Sequence, residues 1–414
     1  MKIIVQKFGG TSVATPEKRT KLVAQVKRAR KQGYASVVVI SAMGRRGEPY
    51  ATDTLKALAE EIYPAIALRE MDLLMSCGEL ISAVVTVATL NSHGIKARAM
   101  TGSQAGLVTD GTYSEAEVID CNPQRVQKCL ENGEVVVVAG FQGATADGEI
   151  NTLGRGGSDT TAVILGAALN AELVEIYTDV NGIMTADPKV LQEAQIIEHL
   201  TYSEVCQMAY EGAKVIHPAA VEVAMQNNVT IVIKNSAGPN SGTMITGESR
   251  IGHKTFSARH RCVVTGIAHT TDIAQAQVEF EKSDAEKELL VFERIAEAGI
   301  NVDLINIFPL LKVFTVKEEL VPKVKKELEK LGVRFRIRKG CAKVSVIGAG
   351  MRNIPGVMAR VIKVLNENNV EILQTGDSNI TISLLIDQKD LNNAVKTLHD
   401  HFGLGRMRRT YEES

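Results

Sequence analysis

The sequence predicts an α/β protein: one large three-layer domain on a parallel sheet, followed by two small βαββαβ modules. Three observations carry that expectation. Short β-branched runs alternate with longer helical patterns through the first 235 residues, the texture changes near Ser236, and the last 150 or so residues repeat themselves.

In chain order, strand-like runs of the first part cover 3–5, 36–40, 135–139, 174–178 and 229–233. Runs such as Val135-Val136-Val137-Val138 are apolar at every position, which suits strands covered on both faces and so a parallel sheet between helices. Helical patterns fill 17–32, 70–91, 158–169 and 202–210, with Ser76-Cys77-Gly78-Glu79 interrupting the second. The turn-rich Ala237-Gly238-Pro239-Asn240-Ser241-Gly242-Thr243 and the weakly patterned 246–261 mark a boundary. Beyond it, a helix at 288–299 leads into an apolar run at 300–305, and a helix at 360–369 leads into 370–373, an offset of 70 residues. Each is followed by a second strand (312–316; 380–386) and a second helix (321–331; 391–402). Strand, helix, two strands, helix, strand is the ferredoxin-like split βαβ order. The expected domains are 1–245, a linker at 246–262, and modules at 263–338 and 339–414.

Composition removes several function classes. Hydrophobic residues at 45% and charged ones at 23% speak against bulk disorder. With Lys plus Arg at 47 and Asp plus Glu at 48, no global attraction to nucleic acid or an anionic membrane can arise. Aromatics are 4% with no Trp, which leaves little material for stacking bases. Neither nucleic acid nor membrane is an expected partner. Six scattered cysteines without a CxxC pair give no metal spacing and no disulfide framework. No apolar run approaches the ~18 to 20 residues of a membrane span, and charges stand at the N-terminus where a signal peptide needs its apolar stretch. A soluble, cytoplasmic protein is expected.

The glycines, 34 in all, concentrate where chemistry is expected. Lys7-Phe8-Gly9-Gly10-Thr11-Ser12 leaves the first strand for a helix, presenting backbone N–H groups and one full positive charge to an anion. It is not a GxxxxGK[ST] loop. Gly154-Arg155-Gly156-Gly157-Ser158-Asp159 opens onto a small-residue helix. Arg155 can grip a carboxylate or phosphate bidentately, while Asp159 stands where a cap or a functional carboxylate would be. Ser41-Ala42-Met43-Gly44 follows the second strand; Glu79, taken alone, reads as a solvated helical carboxylate. The acidic run Tyr177 to Lys189 fails the EF-hand pattern because Gly182 arrives two residues early. Gly212-Ala213-Lys214-Val215-Ile216-His217-Pro218 offers a second lysine that could flank a transferring phosphoryl group, with His217 structural. Val344 to Gly350 imitates a dinucleotide fingerprint but lacks the third glycine, and Arg334-Phe335-Arg336-Ile337-Arg338 reads as a strand with one exposed charged face.

In this order, KFGGTS at 7–12, SAMG at 41–44, SCGE at 76–79, GRGGSD at 154–159, YTDVNGIMTADPK at 177–189 and GAKVIHP at 212–218 resemble the aspartate kinases of the amino-acid kinase family. Two C-terminal modules similar to ACT domains complete the likeness over essentially the whole chain. The loop from Gly44 to Thr54 resembles the diaminopimelate-sensitive type of Gram-positive bacteria.

The resemblance implies ATP- and Mg²⁺-dependent phosphorylation of the L-aspartate side-chain carboxylate, at the head of lysine, diaminopimelate, threonine and methionine synthesis. It implies catalytic roles for Lys7, Asp159 and Lys214. The nucleotide would be lined by Lys7, Phe8, Gly9, Gly10, Thr178, Asp179, Met184, Lys189, Lys214 and Val215, and aspartate by Ser41, Thr52, Glu79, Arg155 and Ser158. An amino-acid effector (diaminopimelate, lysine or threonine) would meet Asp284, Asn301, Val357, Met358, Glu371, Ser378 and Asn379, in a homodimer formed through the ACT-like modules. No protein ligand set for a metal is implied. Lys189 stands where many members carry Arg, Met184 replaces a common Tyr, and 282–286 lacks the Pro-Gly turn kept at Pro355-Gly356. Other phosphotransferases of the family, and a catalytically dead amino-acid sensor, are the alternatives. The tandem modules argue against the first, and the joint presence of Lys7, Arg155, Asp159 and Lys214 against the second.

Overall fold

The computed structural model describes residues 1–213, 215–238, 242–247, 264–281, 285–351 and 354–406. Lys214 and Asp284, and most of the expected linker, lie outside the described residues. The chain forms two compact units: residues 1–183, 196–209 and 214–252, and residues 184–195, 210–213 and 253–414. Two short stretches of the first 245 residues therefore fold with the C-terminal unit.

The first unit is built on an eight-stranded sheet. Its spatial order is His199–Thr201, Gly242–Thr246, Ile231–Asn235, Leu173–Thr178, Lys2–Phe8, Tyr34–Ile40, Val135–Ala139, Ala97–Met100. From Ile231–Asn235 to Ala97–Met100 every neighbouring pair is parallel, so all their carboxyl ends emerge at one edge. Phe8, Val38, Ile40, Val137 and Tyr177 pack with Leu22, Val23 and Val26 of the helix Pro16–Lys31 and with Ala83 and Leu90 of the helix Leu68–Ser92. The alternate residues Val37, Val39, Val136, Val138 and Ile176 are equally buried, so both sheet faces are covered. A four-stranded sheet, Val118–Cys121, Leu107–Thr109, Gln142–Ala144, Ile150–Thr152, completes the unit.

The helix Leu68–Ser92 corrects the sequence reading twice. Ser76-Cys77-Gly78-Glu79 does not interrupt it: the helix runs through unbroken. It is also long and apolar enough, by length and composition, to cross a membrane, which a count of uninterrupted apolar residues misses because Asp72 and Glu79 break the run. Both carboxylates are buried and meet protein donors, as expected of a core helix.

The second unit carries a six-stranded antiparallel sheet in the order Asp303–Phe308, Leu311–Lys317, Gly266–Glu279, Arg334–Ile347, Thr381–Asp387, Ile372–Asp377. The two central strands, 14 residues each, serve both modules. Gln275–Glu279 pairs with 334–338 in one, and 266–270 with 343–347 in the other, with a bulge between them around Asp272. The position of a closing strand in the second module is thus filled by 266–270 from far upstream, rather than by residues after the helix Leu391–His401. Separate cores lie beneath the halves, one around Phe314, Val291 and Leu328, the other around Val344, Leu384 and Leu398. Arg334, Arg336 and Arg338 point outward while Phe335 and Ile337 pack inward, as the alternation predicts.

Candidate active site

At the carboxyl edge of the large sheet the chain turns sharply after Phe8. The side chain of Phe8 is buried in a stack on Tyr177, ring centroids 4.5 Å apart, so only its backbone can face a ligand. Gly10 opens the short helix Gly10–Val13, and a Cβ there would lie 2.2 Å from the Ala42 carbonyl oxygen, so only glycine allows this approach. Gly10 O accepts from Gly44 N–H at 3.2 Å, which ties the first glycine loop to the 41–44 loop. Lys7, three residues before Gly10, forms an ion pair of 2.6 Å with Asp159, both side chains largely buried. Asp159 does not cap its helix: Gly156 occupies the cap of Gly157–Ala168 and no side chain bonds there. Its role is toward Lys7.

Glu79 overturns the expectation of a solvated carboxylate. It is 2% exposed; Oε1 accepts from the Ala42 N–H at 3.0 Å, while Oε2 has no partner among the described residues. Burial raises its pKa to about 7, against the lowering effect of the Ala42 hydrogen bond. A desolvated carboxylate with one free oxygen is prepared for a cation. Arg155 stands exposed in the second glycine loop, and Ser158 is buried at the start of the helix that carries Asp159. Ser41 and Thr52 are half-buried, Thr52 opening the helix Thr52–Ile62. Thr178 ends and Asp179 follows the strand Leu173–Thr178 next to Lys2–Phe8, and Asp179 pairs with Arg45 at 3.2 Å on the surface. Val215 belongs to the first unit, Met184 and Lys189 to the second. His217 caps the helix Pro218–Asn227 by backbone alone, and its ring Nδ1 is buried without a partner among the described residues.

Two polar clusters escaped the sequence reading. Asp72 is wholly buried and accepts four hydrogen bonds of 2.8–3.0 Å, from the backbone N–H and hydroxyl of both Ser114 and Thr152. It pins the strand that leads into Gly154-Arg155. The signal was present: Asp72, Ser76 and Glu79 fall on one helical face at i, i+4 and i+7. Glu175, mid-strand, gathers Gln6 at 2.9 Å, Tyr177 at 2.8 Å, Arg28 at 3.2 Å and Lys234. Burial opposes its ionisation, but Lys234 and the hydrogen bonds outweigh it and hold the carboxyl below its ordinary range.

In the second unit a cleft of about 440 Å³ is lined by Met351, Ile354, Gly356, Val357, Met358, Asp377, Ser378, Asn379 and Ile382. It unites four of the effector candidates, Val357, Met358, Ser378 and Asn379. Glu371 lies outside it, exposed, 3.8 Å from Arg338, and Asn301 is exposed in the loop before the strand Asp303–Phe308, in the other half of the unit. Among the described residues no group of three or more His, Cys, Asp or Glu is placed to hold a metal ion.

A family model described as the amino acid kinase family matches residues 2–235, and an ACT domain model matches 344–402. Fold and site therefore define an amino acid kinase with an ACT regulatory region. The chain is 45% identical over 408 residues to Aspartokinase 1 of Bacillus subtilis, covering 98% of this chain and 100% of that one. It is 40% identical to an aspartokinase of Geobacillus stearothermophilus, covering 98% of each. The crystal structure of E. coli aspartokinase III in complex with aspartate and ADP superposes with a TM-score of 0.73 at 25% identity, covering 97% of this chain and 99% of that one. The same enzyme in complex with lysine and aspartate gives 0.75. The chain belongs to the aspartokinases. It is accordingly an enzyme that phosphorylates aspartate from a nucleotide, under allosteric control through its ACT region.

Proposed function

We propose that the chain transfers the γ-phosphoryl group of ATP to the side-chain carboxylate of L-aspartate, giving 4-phospho-L-aspartate and ADP. The observation that carries this is the Lys7–Asp159 pair at the head of the glycine loop, on the same sheet edge as the half-satisfied Glu79. A carboxylate is already a nucleophile at neutral pH, so no general base is required. The work is charge neutralisation and in-line positioning. Lys7 offsets charge on the transferring group and Asp159 fixes its ammonium; Lys214 is the second cation by its motif. Glu79 receives the aspartate ammonium and Arg155 its carboxylate, with Ser41, Thr52 and Ser158 in support. Gly9, Gly10, Thr178 and Asp179 face the nucleotide, joined by Met184, Lys189 and Val215 through their motifs. The nearby carboxylates are engaged, Asp159 by Lys7 and Asp179 by Arg45. Mg²⁺ therefore fits as a partner of the phosphates and water rather than of a protein cage.

The effector is a product of the lysine branch, seated in the cleft between Gly356 and Asn379. There the N-terminus of the helix Val357–Glu367 suits a carboxylate and Asp377 suits an ammonium. E. coli aspartokinase III has been solved with lysine, which supports an amino acid in this role. The enzyme works in the cytoplasm as a homodimer joined through its ACT region, at the entry to lysine, diaminopimelate, threonine and methionine synthesis. Trapping acyl phosphate with hydroxylamine, in the presence of ATP, Mg²⁺ and a panel of amino acids, tests the reaction. Hydroxamate should form with L-aspartate and not with glutamate or acetylglutamate; the reverse preference would refute it.

A further inference from the structure

Residues 210–213 separate from their neighbours. The chain on either side, 196–209 and 214–252, belongs to the kinase unit, whereas Tyr210, Glu211, Gly212 and Ala213 pack in the regulatory unit. Three attachments hold them. The Glu211 carbonyl accepts from the Thr270 hydroxyl at 3.1 Å. Gly212 has φ +118°, and a Cβ there would lie 2.1 Å from the His269 carbonyl oxygen. The Glu211 carboxylate receives the Lys343 ammonium at 2.9 Å and the Ser345 hydroxyl.

Lys343 is buried in the central strand Arg334–Ile347, and the same ammonium also meets Asp303 at the head of the edge strand Asp303–Phe308. Burial would lower its pKa, but Glu211 and Asp303 prevail and keep it above the ordinary value. A buried ammonium shared by two carboxylates is poor value as a stabilising device, since apolar residues of similar volume do as well; setting a register or a switch is the better-attested use. Lys214, the second lysine of the proposed site, follows Glu211 by three residues.

We propose that Glu211, gripped by Lys343 and Ser345, is a positioning residue for the loop that carries Lys214, and that Asp303 competes for the same ammonium. The edge strand of the regulatory sheet and the catalytic loop thereby share one charge. This rests on the catalytic reading of Lys214 and, for its regulatory half, on the amino-acid effector.

The test uses the full chain as wild type and as E211Q, K343M, K343R and D303N, assayed with ATP, Mg²⁺ and aspartate. Each is titrated with L-lysine, L-threonine and meso-diaminopimelate. Without effector, E211Q and K343M should lose on the order of ten-fold or more in kcat, with both KM values within about two-fold, because a misplaced group costs rate rather than affinity. K343R should restore most of kcat. D303N should keep the basal kcat and shift the midpoint of inhibition by at least about five-fold. Folded E211Q and K343M with wild-type kcat would overturn the positioning role, even if their melting temperatures fell. An unmoved midpoint in D303N would overturn the competition. Wild-type indifference to all three amino acids would overturn the effector reading itself, while the effector-free kcat comparison still decides the strut.

Discussion

Replacing Glu79 by Gln should make the protein more stable at pH 8 while nearly abolishing its affinity for aspartate. A carboxyl whose folded pKa is raised binds its proton more tightly when native than when unfolded. The native state therefore loses stability as pH climbs from 4.5 through about 7, and the penalty is complete above that. At 1.36 kcal/mol per pH unit the interval amounts to roughly 3 kcal/mol. The amide keeps the bond from Ala42 N–H but leaves its own N–H buried without a partner, which offsets about 1 kcal/mol. A net gain of about 2 kcal/mol corresponds to roughly 4–8 °C in melting temperature for a unit of this size. Calorimetry at pH 8 should show that difference, and it should vanish near pH 5, where Glu79 of the wild type is mostly protonated. Removing the charged partner of a desolvated ammonium costs about 2–5 kcal/mol, so KM for aspartate should rise by roughly one and a half to three and a half orders of magnitude. In the wild type, kcat/KM for aspartate should fall as pH drops below about 7, and E79Q should lack that limb. A variant no more stable at pH 8, or one with an ordinary aspartate KM, would refute the reasoning.

Three further outcomes follow from the same geometry. Lys7→Met should lower kcat by about 10²–10³ in steady-state assays, as for other groups that neutralise developing charge, and leave Asp159 buried without its cation. Gly10→Ala should cost about 10² in kcat with little change in far-ultraviolet circular dichroism, because its Cβ must displace the Ala42 carbonyl. Asp72→Asn puts an amide N–H₂ against donors of Ser114 and Thr152. It should lower unfolding free energy by about 3 kcal/mol in urea titrations and raise KM for aspartate several-fold through the strand leading to Arg155.

The five strands expected in the first unit lie within three residues of observed ones, because a parallel sheet buried on both faces leaves runs like Val135–Ala139 with no polar positions to confuse them. The short Ala97–Met100, His199–Thr201 and Gly242–Thr246 and the four-stranded sheet carry no such run and were missed. The glycine loops were legible too, since Lys7-Phe8-Gly9-Gly10 and Gly154 to Asp159 combine backbone freedom with a charge. Burial of individual carboxylates was not. Asp72 and Glu79 look like ordinary breaks in an apolar helix, and only the loops folded over that face show them to be desolvated. The long central strands also hid from a repeat-based reading. A 70-residue offset suggests two modules in succession, whereas Gly266–Glu279 and Arg334–Ile347 each pass through both halves of one sheet. The segments 184–195 and 210–213 sit among kinase motifs in sequence, yet their packing partners, such as His399 against Thr185 and Lys343 against Glu211, lie far along the chain.

The central claim is that the Lys7–Asp159 site phosphorylates the side-chain carboxylate of aspartate rather than its α-carboxylate. Reducing the acyl phosphate with borohydride as it forms, then identifying the alcohol by mass spectrometry and chromatography, tests this most directly. Homoserine is the result the account predicts. 3-Amino-4-hydroxybutanoate, or no alcohol at all, would contradict it.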